Sequence, residues 1–165
     1  MFDLVDGLPV HPLVVHAVVV LLPLACLGTL AIAVVPAWRA RFGPLVVACA
    51  AVATVLVPIA TSSGEALEER VGDPGEHAEL GDQLIWFAVP LLVLSLALVL
   101  LDRRRRRAAD ADGGGSSGRV SPRALTTGVA VLAVIAALAA SVQIYRVGES
   151  GARAVWGDQV QSGSQ

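Results

Sequence analysis

The side chains best suited to bind a metal or a cofactor are the three histidines, His11, His16 and His77. Imidazole nitrogen is a common ligand of zinc, copper and iron, and it is also an axial ligand of haem iron. Carboxylates close to them would serve as ligands for a harder metal or as acceptors for the second imidazole nitrogen, and the candidates are Glu65, Glu76 and Glu79. These residues predict a metal site that holds haem b or a transition metal.

A plainer interpretation of the histidines is also open. His11 and His16 are separated by five positions, which places them roughly 140° apart on an ideal helix. The chain contains no Cys-x-x-Cys, His-Glu-x-x-His or haem-attachment motif. The histidines would then cap helix ends and bond to the backbone. No nucleophile elbow or phosphate-binding loop is present, so we predict no catalytic residues, and the sequence favours a protein that is not an enzyme.

Long apolar runs are the elements that must position these side chains. Hydrophobic residues make up 55% of the chain and charged residues 16%, with a mean hydropathy of +0.71. Soluble domains carry about 25% charged residues, whereas about 20 consecutive apolar residues span a bilayer as a helix. The sequence therefore predicts an all-α, four-helix transmembrane bundle in the lipid bilayer. The helices are expected at about 13–35, 45–63, 77–101 and 124–145.

Basic residues predict the orientation of the bundle. Nine of the twelve arginines lie in the first and third loops, whereas the middle loop is acidic apart from Arg70, and Arg146 and Arg153 follow the fourth helix. The positive-inside rule places arginine-rich short loops in the cytoplasm, so both termini and all three histidines are expected on the outer, non-cytoplasmic side. The predicted topology anchors are Arg39, Arg41, Arg103, Arg104, Arg105, Arg106 and Arg107.

The arginine run has other interpretations. Arginines beside a membrane attract anionic lipid headgroups by about 1 kcal/mol each, which is the functional alternative to a topology anchor. Nucleic-acid binding is not expected, because the run has no interleaved aromatic residues and no binding fold around it. Residues 108–120, rich in Gly and Ser, predict a flexible cytoplasmic linker, and residues 161–165 predict a disordered tail.

Three motifs carry a resemblance to a known family. Residues 7–16 fit the pattern G-x-P-x-H-P-x-x-V-H, residues 77–81 fit H-x-x-L-G, and residues 148–157 form a Gly-rich stretch after the fourth helix. In this order they resemble DUF2231, a family of uncharacterised bacterial integral membrane proteins. The resemblance implies one DUF2231-like four-helix domain over 1–160, and it marks His11, His16 and His77 as motif positions.

The resemblance does not supply a reaction. It implies a multi-pass protein of the bacterial plasma membrane, and because some members accompany redox domains, a membrane or redox protein is an expected partner. Three functions stay open: a redox protein that binds haem or a transition metal through the histidines, a non-catalytic structural or partner-binding bundle, and a small-solute carrier.

Overall fold

The structure, a computed structural model, describes residues 4–5, 8–71, 75–111 and 122–162. It contains four helical stretches that are long and apolar enough to cross a membrane. These stretches are His11–Val34, Pro36–Glu68, Glu76–Asp110 and Arg123–Trp156. The predicted all-α, four-helix transmembrane architecture is therefore confirmed.

The helices are longer than the apolar runs that predicted them. The first described residues form two short strands, β1 (Leu4–Val5) and β2 (Leu8–Pro9), which pair antiparallel. The helices are α1 (Val10–Val34), α2 (Arg39–Val71), α3 (Glu76–Gln83), α4 (Ile85–Ala111) and α5 (Pro122–Ser162), with a 3-10 turn at Pro36–Trp38. Apolar runs mark only the part of a helix inside lipid, because backbone hydrogen bonds continue through polar residues until a breaker stops them.

Two predicted segments differ for that reason. The linker predicted at 108–120 begins as helix, since α4 extends to Ala111, and the chain after Tyr145 stays helical to Ser162. The remainder of the linker, 112–120, and residues 163–165 of the predicted tail lie outside the described residues. The third membrane stretch is α3 followed by α4, with a break at Leu84, whose N–H donates to the Gly81 carbonyl at 3.0 Å.

The spans form two antiparallel hairpins, which we call the first half (α1 and α2) and the second half (α3, α4 and α5). Helix α1 packs against α2 and α5, and α4 packs against the same two helices. The two halves therefore have equivalent neighbours: α1 in the first half corresponds to α4 in the second, and α2 corresponds to α5. We call the end that carries His11 and His77 the histidine end, and the end that carries Arg39 and Asp102 the arginine end.

The core consists of two clusters along the bundle axis. The larger one is nearer the histidine end and includes Leu22, Ala53 and Leu91, while the smaller one, nearer the arginine end, includes Ile32, Val46 and Leu98. Small residues let the helices approach closely, as membrane bundles require. Outward positions along the spans are also apolar, among them Leu27, Val55, Val93 and Leu132, as expected for a surface that faces lipid.

Buried positions recur at constant spacing in the two halves. Apart from Cys26, every buried residue in the part of α1 whose burial is described, 11–34, has a buried counterpart 66 positions later. The pairs are Val18 with Leu84, Leu22 with Ala88, Ala25 with Leu91, Thr29 with Ser95, Ile32 with Leu98 and Ala33 with Val99. In the described part of α2, all buried residues except Val57 have a buried counterpart 87 positions later in α5. The two halves therefore share one packing pattern.

Candidate functional site at the histidine end

His11 connects the start of α1 to the far part of α2. Its Nδ1 lies 2.9 Å from the carbonyl oxygen of Ala60 and 3.3 Å from the hydroxyl of Ser63. The Ser63 hydroxyl itself donates to the Ala60 carbonyl at 2.9 Å. The Ala60 carbonyl thus accepts hydrogen bonds from both the imidazole and the serine hydroxyl. The half-buried imidazole is held between α1 and α2, the two helices of the first half.

His77 makes the same set of contacts in the second half. Its Nδ1 lies 3.1 Å from the carbonyl oxygen of Val147 and 3.3 Å from the hydroxyl of Ser150. The Ser150 hydroxyl donates to the Val147 carbonyl at 3.0 Å. The partners are again a carbonyl and a serine three residues later, so His77 binds α5 as His11 binds α2.

A glycine completes each contact set. A Cβ atom on Gly64 would lie 3.1 Å from Cε1 of His11, and one on Gly151 would lie 3.0 Å from Cε1 of His77. These are tighter than ordinary carbon contacts, so a larger residue would push the imidazole away from its carbonyl. Each half therefore contains a histidine, a carbonyl, a serine and a glycine in one geometry, which we call the histidine clamp.

The clamp determines the tautomer of each neutral imidazole. A carbonyl oxygen can only accept a hydrogen bond, so Nδ1 of His11 and of His77 must carry the proton. Nε2 then keeps its lone pair. Among the described residues, no hydrogen-bond partner of Nε2 is found for either histidine. Both imidazoles consequently present an unprotonated nitrogen that can bind a metal or accept a proton.

Local backbone features place the two imidazoles at their helix starts. His11 lies in the first turn of α1 next to Pro12, where proline is tolerated because the first helical N–H groups have no intrahelical acceptor. His77 is the second residue of α3, whose N-cap is Gly75 with φ 61°. Glycine adopts this positive φ without a Cβ clash, which allows the chain to turn directly into α3.

The other predicted site residues lie apart from the clamps. His16 is exposed, and its Nδ1 donates to the carbonyl of Pro12 on its own helix rather than to a neighbour. Glu65, Glu76 and Glu79 are all exposed. Over residues 8–71, 75–111 and 122–162, no group of three or more His, Cys, Asp or Glu side chains is placed to hold a metal ion.

Comparison with known proteins identifies the family. The sequence matches DUF2231, described as a predicted membrane protein, over residues 7–164. The chain belongs to the DUF2231 family. The resemblance carried by the three motifs is thereby confirmed over nearly the whole chain. Neither a curated protein nor a solved structure matches this DUF2231 protein.

The arginine end of this DUF2231 protein contains a buried ionic network. Arg39, only 5% exposed, donates from Nε to the carbonyl of Ile32 at 2.8 Å and from Nη2 to that of Ala33 at 3.0 Å. Its Nη1 lies 3.9 Å from a carboxylate oxygen of Asp102, and Arg106 donates to Asp102 at 2.7 Å. Arg39 therefore satisfies carbonyls at the end of α1, which helices leave without intrahelical partners.

Several residues that matter in this DUF2231 protein were not singled out from the sequence. They are Ser63 and Gly64 in the first clamp, Asp102 at the arginine end, and Gln143, while Ser150 and Gly151 of the second clamp lie within the Gly-rich motif at 148–157 but were given no role. Gln143 is 1% exposed and donates from Nε2 to the Leu80 carbonyl at 2.9 Å, which attaches α3 to α5. A search for internal repeats could have found the clamps, since a Ser-Gly pair ends the apolar run of α2 and follows that of α5.

Proposed function

We propose that this protein binds a haem or a transition metal through Nε2 of His11 and His77 and serves a redox role in the membrane. The single observation behind the proposal is the histidine clamp, which repeats in both halves. Each imidazole donates its Nδ1 proton to a backbone carbonyl, and Nε2 is left with its lone pair. Metal-binding histidines typically have this arrangement, because the carbonyl fixes the ring and increases the basicity of the coordinating nitrogen.

Of the two cofactors proposed, haem requires the smaller number of ligands from the protein. A porphyrin supplies four of the iron ligands, so the protein needs to provide only one or two axial groups. A structural zinc site, by contrast, needs four protein ligands. Within the described residues the histidine end offers two matched imidazoles and no cluster of three ligands. This donor set suits axial ligation better than a metal held by protein alone.

His16 and the carboxylates have secondary roles in this proposal. The Nδ1 bond of His16 to Pro12 leaves its Nε2 equally unprotonated, so it remains a candidate ligand. It has no counterpart in the second half, where the equivalent position is Asp82. Glu65, Glu76 and Glu79 are proposed as hydrogen-bond acceptors beside the ligands. Their exposure lets them adjust to a bound group.

The orientation and the compartment are part of the same proposal. Short loops rich in arginine stay in the cytoplasm, so the arginine end would face the cytoplasm and the histidine end the outer side. In a bacterial plasma membrane the redox centre would then lie at the outer surface, accessible to a membrane or redox protein partner. A protease-cleavable tag placed after the last helix should be cleaved by protease added outside the cell, and it should be protected from protease on the cytoplasmic side.

The test is an absorption spectrum and a metal analysis of the full chain purified in detergent from cells supplied with iron and a haem precursor. We expect a Soret band or stoichiometric metal, lost in His11→Ala and in His77→Ala and retained in the matched control, Gln83→Ala. Gln83 is an exposed residue of α3 and makes no clamp contact. A purified, folded protein with neither a Soret band nor stoichiometric metal contradicts the proposal.

One observation favours a second function, a non-catalytic structural or partner-binding bundle. Each clamp hydrogen bond also joins two helices, α1 to α2 in the first half and α3 to α5 in the second, which is a purely structural task. Interhelical hydrogen bonds in membranes contribute about 0.6 kcal/mol on average. This function predicts that both histidine variants lose stability without any change in spectrum or metal content, and that a partner still copurifies after metal is stripped.

A further inference from the structure

The arginine run at the end of α4 is divided by the structure into three environments. Arg106 pairs with the buried carboxylate of Asp102 at 2.7 Å. Arg103 and Arg107 are exposed and have no charged partner among the described residues. Arg104 and Arg105 line a groove between α4 and α5, and Arg123 of α5 lines it from the other side. The positive-inside rule accounts for an arginine run, but it does not require arginines from two helices to converge.

The groove is also amphipathic. Its volume is about 560 Å³, and it is open at the surface of the bundle rather than enclosed. Leu101, Ala108 and Leu125 supply its apolar wall. Leu125 is 51% exposed at the end of an apolar span, so this wall continues into the lipid-facing surface of the bundle.

We propose that this groove binds the headgroup of an anionic phospholipid, with its phosphodiester between Arg104, Arg105 and Arg123. The guanidinium groups carry positive charge and donate paired N–H bonds that match phosphate oxygens. Among the described residues that line the groove, three are arginines and none is acidic. Basic pockets between membrane helices are known to hold anionic headgroups in this way.

The apolar wall selects a lipid over free phosphate. Leu101 and Leu125 lie where the glycerol and the first acyl carbons would continue from the phosphodiester into the bilayer. A free phosphate ion would leave that surface uncovered. The occupant is therefore a phospholipid with a net negative headgroup, and a zwitterionic headgroup would place its cation against the three arginines.

The experiment uses the full chain in a neutral detergent and counts bound lipid by native mass spectrometry. Phosphatidylglycerol is titrated against phosphatidylcholine with identical acyl chains, and inorganic phosphate is titrated separately. The variant Arg104→Gln/Arg105→Gln is compared with Arg103→Gln/Arg107→Gln, which removes the same charge from the same helix outside the groove. Arg123→Gln tests the opposite wall independently, and thermal unfolding in detergent verifies that all three are folded.

We expect phosphatidylglycerol to be retained and phosphatidylcholine not. Arg104→Gln/Arg105→Gln should weaken phosphatidylglycerol binding by about tenfold or more, and Arg123→Gln should weaken it by a smaller factor. The control pair should change it by less than about threefold. Equal losses of phosphatidylglycerol binding in both double variants, or equal binding of the two lipids, would refute the groove as the binding site. Stabilisation by inorganic phosphate as strong as that by phosphatidylglycerol would overturn the choice of a lipid.

Discussion

The two halves of the bundle share a pattern of burial and a histidine clamp, yet they differ in how their charged and polar residues are used. In the first half, α2 begins with Arg39, which bonds to carbonyls of α1 and approaches Asp102. The equivalent position in the second half is Thr126, which is also buried but uncharged. Conversely, the buried Gln143 of the second half occupies the position that is equivalent to Leu56 in the first half.

The comparison separates what the architecture needs from what each half adds. Clamp and core spacing occur twice, so they are the common means of holding an antiparallel hairpin together in lipid, where interhelical contacts depend on close packing and hydrogen bonds. Arg39 and Gln143 each occur in one half only. They lie where the two halves are built differently, at the turn between helices and at the additional helix α3. Arg39 completes the direct turn from α1 to α2, and Gln143 secures α3, which has no counterpart as a separate helix in the first half.

The largest expected effect comes from Arg39→Leu. This change removes two bonds to α1 carbonyls and leaves the buried Asp102 with Arg106 alone, so we expect the free energy of unfolding to fall by about 3 kcal/mol. The matched variant is Thr126→Val, which removes a hydroxyl from the equivalent place and should cost less than half as much. Titration with a denaturing detergent measures both. Equal losses would mean that the two halves do not differ here.

Gln143→Leu should have the next largest effect. It gives the second half the residue type of Leu56 and leaves the Leu80 carbonyl without its donor, which costs about 1–2 kcal/mol. Because Gln143 attaches α3 to α5, hydrogen exchange should increase in residues 76–83 before it increases in α4. Unchanged exchange in α3 would refute this role.

The histidine clamps should respond equally in the two halves. His11→Ala and His77→Ala each remove one interhelical hydrogen bond, worth about 0.6–1.7 kcal/mol in membrane proteins. We expect the two losses to agree within about 0.5 kcal/mol in the apo protein. His16→Ala removes only a bond within α1 and should lose less. Strongly unequal effects of the first two variants would show that the clamps are not equivalent.

The smallest effect concerns the clamp glycines. Alanine within a helix is favoured over glycine by up to about 1 kcal/mol, and Gly148→Ala should show this gain because its Cβ would meet nothing within 4 Å. Gly64→Ala and Gly151→Ala should give a smaller gain in stability than Gly148→Ala, because the new methyl group presses on an imidazole. Nitrogen chemical shifts of the two imidazoles should move in these variants and stay constant in Gly148→Ala. A full gain in all three would argue against close packing of the rings.

The residues themselves determine most of the architecture. Apolar runs of about 20 residues have only one satisfactory conformation in lipid, since every backbone group must be bonded within its own helix. Composition and run length therefore predict four membrane helices, and the motifs predict the family, both of which are confirmed. The residue types also single out His11, His16 and His77 as candidate ligands, and of these the structure places His11 and His77 in the clamps and His16 outside them.

Only the tertiary structure decides what those histidines contact. His11 is 49 positions from Ala60 and His77 is 70 positions from Val147, so neither pairing follows from local spacing. The same is true of Arg39, which its position predicts as a topology anchor and whose contacts with α1 and Asp102 appear only in the folded chain. The partner of a polar side chain depends on how two helices are rotated and shifted against each other. That arrangement is determined by packing along the whole interface, and helical periodicity leaves it open.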